Sequence, residues 1–185
     1  MMRLTIFGVL IRSMFLGACG PGSAHVGASG SAAGGRATDF VLKNLDGGSW
    51  SLSDCLGKNV ILLNLYATWC TACEVKLTHL ERLHQTYRGR GVVVVGISMD
   101  GPETVAMVGP QAHRVGVTFP VLLDEETRVT AIYNPQRTAP FSVLIDREGR
   151  IRWVRPGYLP GDEVMFERNI RALLAGESAL SSDTR

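Results

Sequence analysis

Val60-Ile61-Leu62-Leu63-Asn64-Leu65-Tyr66-Ala67-Thr68-Trp69-Cys70-Thr71-Ala72-Cys73 is the stretch on which the reading of this chain turns. Val60 to Tyr66 is a continuous apolar run of strand length, as expected for a strand covered on both faces. Beyond Cys70 the spacing changes. Cys73, Leu77, Leu80, Leu83 and Tyr87 recur at helical intervals, so the chain passes from a buried strand into a helix. Two thiols two residues apart therefore stand at a helix N-terminus. First-turn N–H groups there have no intrahelical partner, and the macrodipole adds partial positive charge. Both stabilise a thiolate, so Cys70 is expected to titrate below a free thiol and to act as the attacking sulfur. Cys73, one turn in, is placed to attack a mixed disulfide formed on Cys70. This is the layout of dithiol–disulfide exchange.

The same two thiols are also half of a structural metal site, which would need two further ligands at suitable spacing. Cys19 and Cys55 lie far upstream without paired spacing, and His79 and His84 sit on the same helix. A single Cys-x-x-Cys without a partner pair is the redox pattern, so no metal and no cofactor is expected.

Working outward, Val92 to Met99 is a second apolar run, separated from the first by the helix from Cys70 to about Arg88, which Gly89 and Gly91 end. That is a β-α-β unit with parallel strands. Upstream, Phe40-Val41-Leu42, the turn Asp46-Gly47-Gly48 and Ser49-Trp50-Ser51-Leu52 predict a hairpin. Ser53-Asp54 then starts a helical turn ending at Gly57, with Cys55 as a small buried hydrophobe. Downstream, Pro102 to about Val115 reads as a helix opened by Asp100-Gly101-Pro102-Glu103, followed by a short strand within Val117 to Asp124 and a short helix from Glu125 to Ile132. Phe141 to Ile145 and Ile151 to Val154 flank the turn Asp146 to Gly149 as a second hairpin, and Asp162 to Leu174 closes the chain as a helix.

At 185 residues, with 45% hydrophobic and 19% charged residues, the chain is one domain plus appendages. A formal net charge of +2 and few aromatics give no basis for nucleic-acid binding. Residues 1–19 read as a targeting segment: Arg3 supplies a short positive region, Leu4 to Ile11 an apolar one, and Leu16-Gly17-Ala18-Cys19 a small-residue close. The close resembles a bacterial lipoprotein box, which implies lipidation of Cys19 and a membrane anchor. Arg12 interrupts the apolar run, so an uncleaved anchor or ordinary signal cleavage remain alternatives; each puts the domain outside the cytoplasm. Residues 20–36, rich in Gly, Ser and Ala, read as a flexible tether, residues 37–176 as the domain, and 177–185 as a polar tail.

The whole pattern resembles the TlpA/ResA-like thiol-disulfide oxidoreductases of the thioredoxin fold. The residues that carry the resemblance are Asp39-Phe40, Leu52-Ser53-Asp54, Leu63 to Cys70, Phe119 to Asp124, and Thr138-Ala139-Pro140-Phe141 ahead of Leu144-Ile145-Asp146-Arg147. The resemblance implies an α/β thioredoxin-like fold, with a central mixed β-sheet flanked by helices and an N-terminal β-hairpin extension. It implies an extracytoplasmic enzyme that reduces protein disulfides, with disulfide-bearing client proteins and a membrane-borne thiol-disulfide electron donor as partners. It further implies that Pro140 is a cis-proline facing the dithiol, and that Trp69, Ala139 and Pro140 form the surface on which an extended substrate segment docks. Departures concern tuning. The family usually has Pro before the second Cys, Glu three residues after it and Pro two later; here Ala72, Lys76 and Thr78 stand there. Asn64 occupies the place of the buried Asp of cytosolic thioredoxins. Lys76, Glu74 and Asn64 are thus the candidate tuning residues, with Lys76 read as partly solvated and Glu74 as a substitute carboxylate. Two other function classes compete. A peroxiredoxin-like peroxidase needs Thr or Ser three residues before its Cys, where Ala67 stands. A non-catalytic thioredoxin-fold module that docks a partner or handles a metal requires both thiols to be unreactive.

Overall fold

The computed structural model describes residues 33–177. The targeting segment with Cys19, most of the tether and nearly all of the polar tail lie outside these residues. β1 (Val41–Asn44) and β2 (Ser49–Ser51) form the expected hairpin, turning through Gly47 at a φ of 82°. β3 (Val60–Tyr66), α1 (Thr71–Tyr87) and β4 (Val92–Ser98) form the β-α-β unit, the two strands pairing in parallel from Val60↔Val92 to Tyr66↔Ser98. After α2 (Val108–Val115), β5 (Val121–Leu123) joins the other side of β4, again in parallel. α3 (Arg128–Tyr133), β6 (Phe141–Ile145), β7 (Ile151–Pro156) and α4 (Asp162–Leu174) complete the fold. The sheet runs β2-β1-β5-β4-β3-β6-β7, with β1 antiparallel to β5 and β6 antiparallel to both β3 and β7.

All of β3 is buried, which accounts for its unbroken apolar sequence. Val60, Leu62 and Tyr66 face one core cluster with Cys73, Leu77 and Leu80 of α1 and with Phe166 and Ile170 of α4. Ile61, Leu63 and Leu65 face the other, with Phe40, Val129 and Tyr133. Each fully buried leucine contributes about 1.5–3 kcal/mol by leaving water. Truncating Leu77 to alanine, which also opens a cavity, would cost about 2–5 kcal/mol. At Gly96 in β4 the first cluster leaves no room for a side chain: a Cβ there would meet Phe119 Cε2 at 3.2 Å and Tyr66 Cε1 at 3.3 Å.

Three boundaries differ from the sequence reading. The second helix does not start at Pro102. A 3₁₀ turn over Val105–Met107 comes first, and α2 begins at Val108 with Pro110 in its first turn, where the missing N–H costs nothing. α3 starts three residues after Glu125, because Thr127 adopts a left-handed φ of 53°. The end of the segment read as tether is not free. Gly34 N–H donates to the Ile151 carbonyl, Ile151 N–H to the Gly35 carbonyl, and Arg36 bridges to Arg150.

Candidate active site

Parallel pairing of β3 and β4 brings their C-terminal ends side by side, and the site is built there. The chain leaves β3 at Tyr66 and crosses Ala67, Thr68 and Trp69 to Cys70, the N-cap of α1. Asp100, just beyond β4 and only 1% exposed, holds this crossing. It accepts from Thr68 N–H at 2.9 Å, from the Thr68 hydroxyl, and from the Ser98 hydroxyl at 2.8 Å. Gln111 of α2 donates to the Thr68 carbonyl at 3.4 Å. Neither Asp100 nor Gln111 was singled out from the sequence.

Cys70 and Cys73 are joined by a disulfide, with their Cα atoms 5.3 Å apart. Cys70 is half-buried, whereas Cys73 is fully buried. Cys73 N–H donates to Cys70 Sγ at 3.2 Å, so the helix start already points a first-turn donor at the outer sulfur. A thiolate formed at Cys70 would meet this N–H and the positive end of the helix. Trp69 stands beside it with 66% of its surface exposed.

Strand pairing sets the opposite wall. Phe141 of β6 pairs with Leu65, so Ala139 and Pro140, immediately before it, run alongside the end of β3 that leads to Cys70. The Ala139–Pro140 bond is cis. The Pro140 carbonyl accepts from Gly157 N–H at 2.7 Å, while no hydrogen bond among the described residues engages the Ala139 amide or carbonyl.

The three tuning candidates separate. Asn64 is fully buried; its Oδ1 meets the Ser142 hydroxyl at 3.3 Å and its Nδ2 has no partner among the described residues. Glu74 turns away, pairing with Arg114 of α2 at 2.8 Å on the surface. The Arg114 hydrogen bond draws its carboxyl below the usual range. Lys76 reverses the expectation of partial solvation. It is fully buried, its Nζ has no hydrogen-bond partner among the described residues, and it lies 5.1 Å from the ring centroid of Phe166 and 6.0 Å from that of Tyr158. Burial pushes its ammonium down to about 7, against a smaller upward pull from Asp162. The remaining described thiol, Cys55, packs against the second core cluster, and burial raises it further from reactivity.

Residues 33–154 match the AhpC/TSA family. The chain is 32% identical to thiol-disulfide oxidoreductase ResA of Geobacillus kaustophilus over 142 residues, 77% of this chain and 78% of that one. It is 33% identical to ResA of Halalkalibacterium halodurans over 156 residues, 84% and 85% of the two chains. The fold superposes on a Chlorobium tepidum protein assigned as thiol:disulfide interchange protein DsbE with a TM-score of 0.71 at 28% identity, covering 77% of this chain and 98% of that one. This chain is a thiol-disulfide oxidoreductase of the AhpC/TSA family. The oxidoreductase has the thioredoxin-like mixed sheet that the sequence resemblance implied, and its reacting pair is the disulfide at the head of α1. Among the described residues no helix is long and apolar enough to cross a membrane.

Proposed function

We propose that this oxidoreductase works as a reductase of protein disulfides outside the cytoplasm. The observation that carries the reading is the asymmetry of the pair: an accessible Cys70 Sγ under a helix N–H, backed by a fully buried Cys73. Reduced Cys70 attacks a client disulfide, one client sulfur leaves as thiolate, and the other stays bonded to Cys70. Cys73 then attacks Cys70, the second client thiolate leaves, and the enzyme ends oxidised as found here. Trp69 offers apolar surface beside the sulfur, and the unengaged Ala139 amide and carbonyl offer one rung of main-chain pairing to an extended client segment. A membrane-borne dithiol donor returns the two electrons. In this reading residues 1–19 direct export, Cys19 carries a lipid, and the stretch between Cys19 and the pairing at Gly34 tethers the domain.

Trapping tests the order of attack. Cys73→Ser should accumulate mixed disulfides with clients through Cys70, and Cys70→Ser should accumulate none. Trapping through Cys73 instead would reverse the roles. For the anchor, mass spectrometry of the native protein should find a mature chain that begins at a lipidated Cys19. Peptides from before Cys19, or an unmodified Cys19, would remove it.

A further inference from the structure

Resolution poses a problem that the buried pair does not solve by itself. While Cys70 is tied to a client, Cys73 must become a thiolate, yet it is closed off from solvent. Burial disfavours the charged form of a thiol, so an acceptor must stand nearby. The groups facing this space come from five elements, and most are already committed. From β7, Arg155 forms a two-pronged ion pair with Asp162 of α4 at 2.9 and 3.2 Å, and Asp162 also accepts from Leu159 N–H at 3.0 Å. Glu163 of α4 accepts from the Tyr158 hydroxyl and from Gly161 N–H. Burial holds the hydroxyls of Tyr158, in the loop before α4, and of Tyr66 on β3 in their protonated forms. Asn64 does not titrate. On α1 itself, His79 also has a ring nitrogen without a hydrogen-bond partner among the described residues, but it lies six residues beyond Cys73, about 9 Å along the helix axis, twice as far as Lys76.

Lys76 is the group left. Side chains three apart on a helix are neighbours, so Lys76 stands one turn from Cys73 on the same buried face, its nitrogen 5.1 Å from the ring of Phe166, which belongs to the core cluster that also holds Cys73. It falls within the same buried stripe, Cys73, Lys76, Leu77, Leu80, and its nitrogen carries no hydrogen bond among the described residues.

Resting on the reading that Cys70 attacks first, we infer that the neutral amine of Lys76 is the base that takes the proton from Cys73 in the resolving step. The step balances. The Cys73 S–H proton moves to Lys76 Nζ, and the Cys73 sulfur lone pair attacks Cys70 Sγ. The Cys70–Cys73 bond forms as the Cys70–client bond breaks, and the client sulfur departs with the electron pair and is protonated by solvent. The dithiol has then given two electrons to the client disulfide. Lys76 returns its proton to bulk water. A depressed lysine near 7 suits this work, because both protonation states are populated at neutral pH.

Stopped-flow reaction of the reduced enzyme with one equivalent of Ellman's reagent separates the two events, since each releases one coloured thiolate. The fast phase reports Cys70 attack and the slow phase reports resolution by Cys73. In the wild type the slow rate should rise with pH through a midpoint near 7. In Lys76→Met the ratio of slow to fast rates at neutral pH should fall by about 100-fold, the lower end of what general base catalysis contributes, and the midpoint should move upward. Lys76→Arg, which keeps the charge but cannot accept a proton, should be as slow as Lys76→Met. Wild-type resolution in Lys76→Arg would mean that charge alone is at work and would overturn the proposal. So would an unchanged ratio in Lys76→Met, or a wild-type slow phase without an inflection between about pH 6 and 8, a readout that needs no variant. A fast phase that survives in Cys70→Ser would instead refute the assignment of Cys70 as the attacking thiol.

Discussion

Replacing Asp100 by alanine tests the support under the redox loop. The carboxylate accepts three hydrogen bonds, from the Thr68 amide, the Thr68 hydroxyl and the Ser98 hydroxyl. A hydrogen bond to a charged group contributes about 1.5–3 kcal/mol net. Thr68 is half-buried, so water can take over part of its share in the variant, whereas Ser98 is fully buried and its hydroxyl would be left without its acceptor. Counting two of the three bonds at the lower figure gives about 3 kcal/mol. For a protein of this size each kcal/mol lowers Tm by about 2–4 °C, so Asp100→Ala should melt roughly 6–12 °C below the wild type. Asp100→Asn keeps one acceptor oxygen and should lose about half as much. Calorimetry of the oxidised proteins at neutral pH measures both. A drop of less than about 2 °C in Asp100→Ala would refute the argument that this side chain holds the loop.

The remaining predictions concern the other charged groups of the site. Glu74→Ala should leave the reduction potential of the dithiol unchanged and Tm little altered, because its pair with Arg114 is exposed and screened; a clear shift in potential would return Glu74 to the site. Lys76→Met should be more stable than the wild type at low pH in the oxidised state. The folded lysine titrates near 7 and the unfolded one near 10.5, so between these values the unfolded chain holds the extra proton and wild-type stability rises with pH. The Tm deficit of the wild type should be full below about 7 and close as pH approaches 10.5; a difference that does not vary with pH would contradict a buried, titrating lysine.

Most of the fold was legible because its central unit is written locally. Two apolar strands of seven residues each and a helix with one apolar stripe need little tertiary information to be read. Cys70 as N-cap was legible for the same reason. Lys76 was misread as partly solvated because residue type was weighed above position: Cys73, Lys76, Leu77, Leu80 is an uninterrupted helical stripe, and its spacing already marks residue 76 as buried. Asp100 was not legible as a support for the redox loop. Its partner Thr68 lies 32 residues away, and the two meet only because parallel strands deliver their ends to the same edge. The late start of α2 is hidden in the sequence because Pro102 suits a first helical position as well as Pro110, eight residues on, suits the first-turn place it fills.

The close packing over Gly96 has a bearing on which sequences this site can tolerate. Phe119 and Tyr66 occupy the space a methyl group would need, so even alanine must displace one of two aromatic rings by a few tenths of an ångström. One of those rings belongs to the last residue of β3, four positions before Cys70. Neighbouring core positions such as Val94 or Leu62 can exchange one aliphatic side chain for another of equal volume and repack. Position 96 has no such exchange available. An added carbon there pushes on the strand that leads to the dithiol, which makes a residue without a side chain one of the least substitutable points in the approach to it.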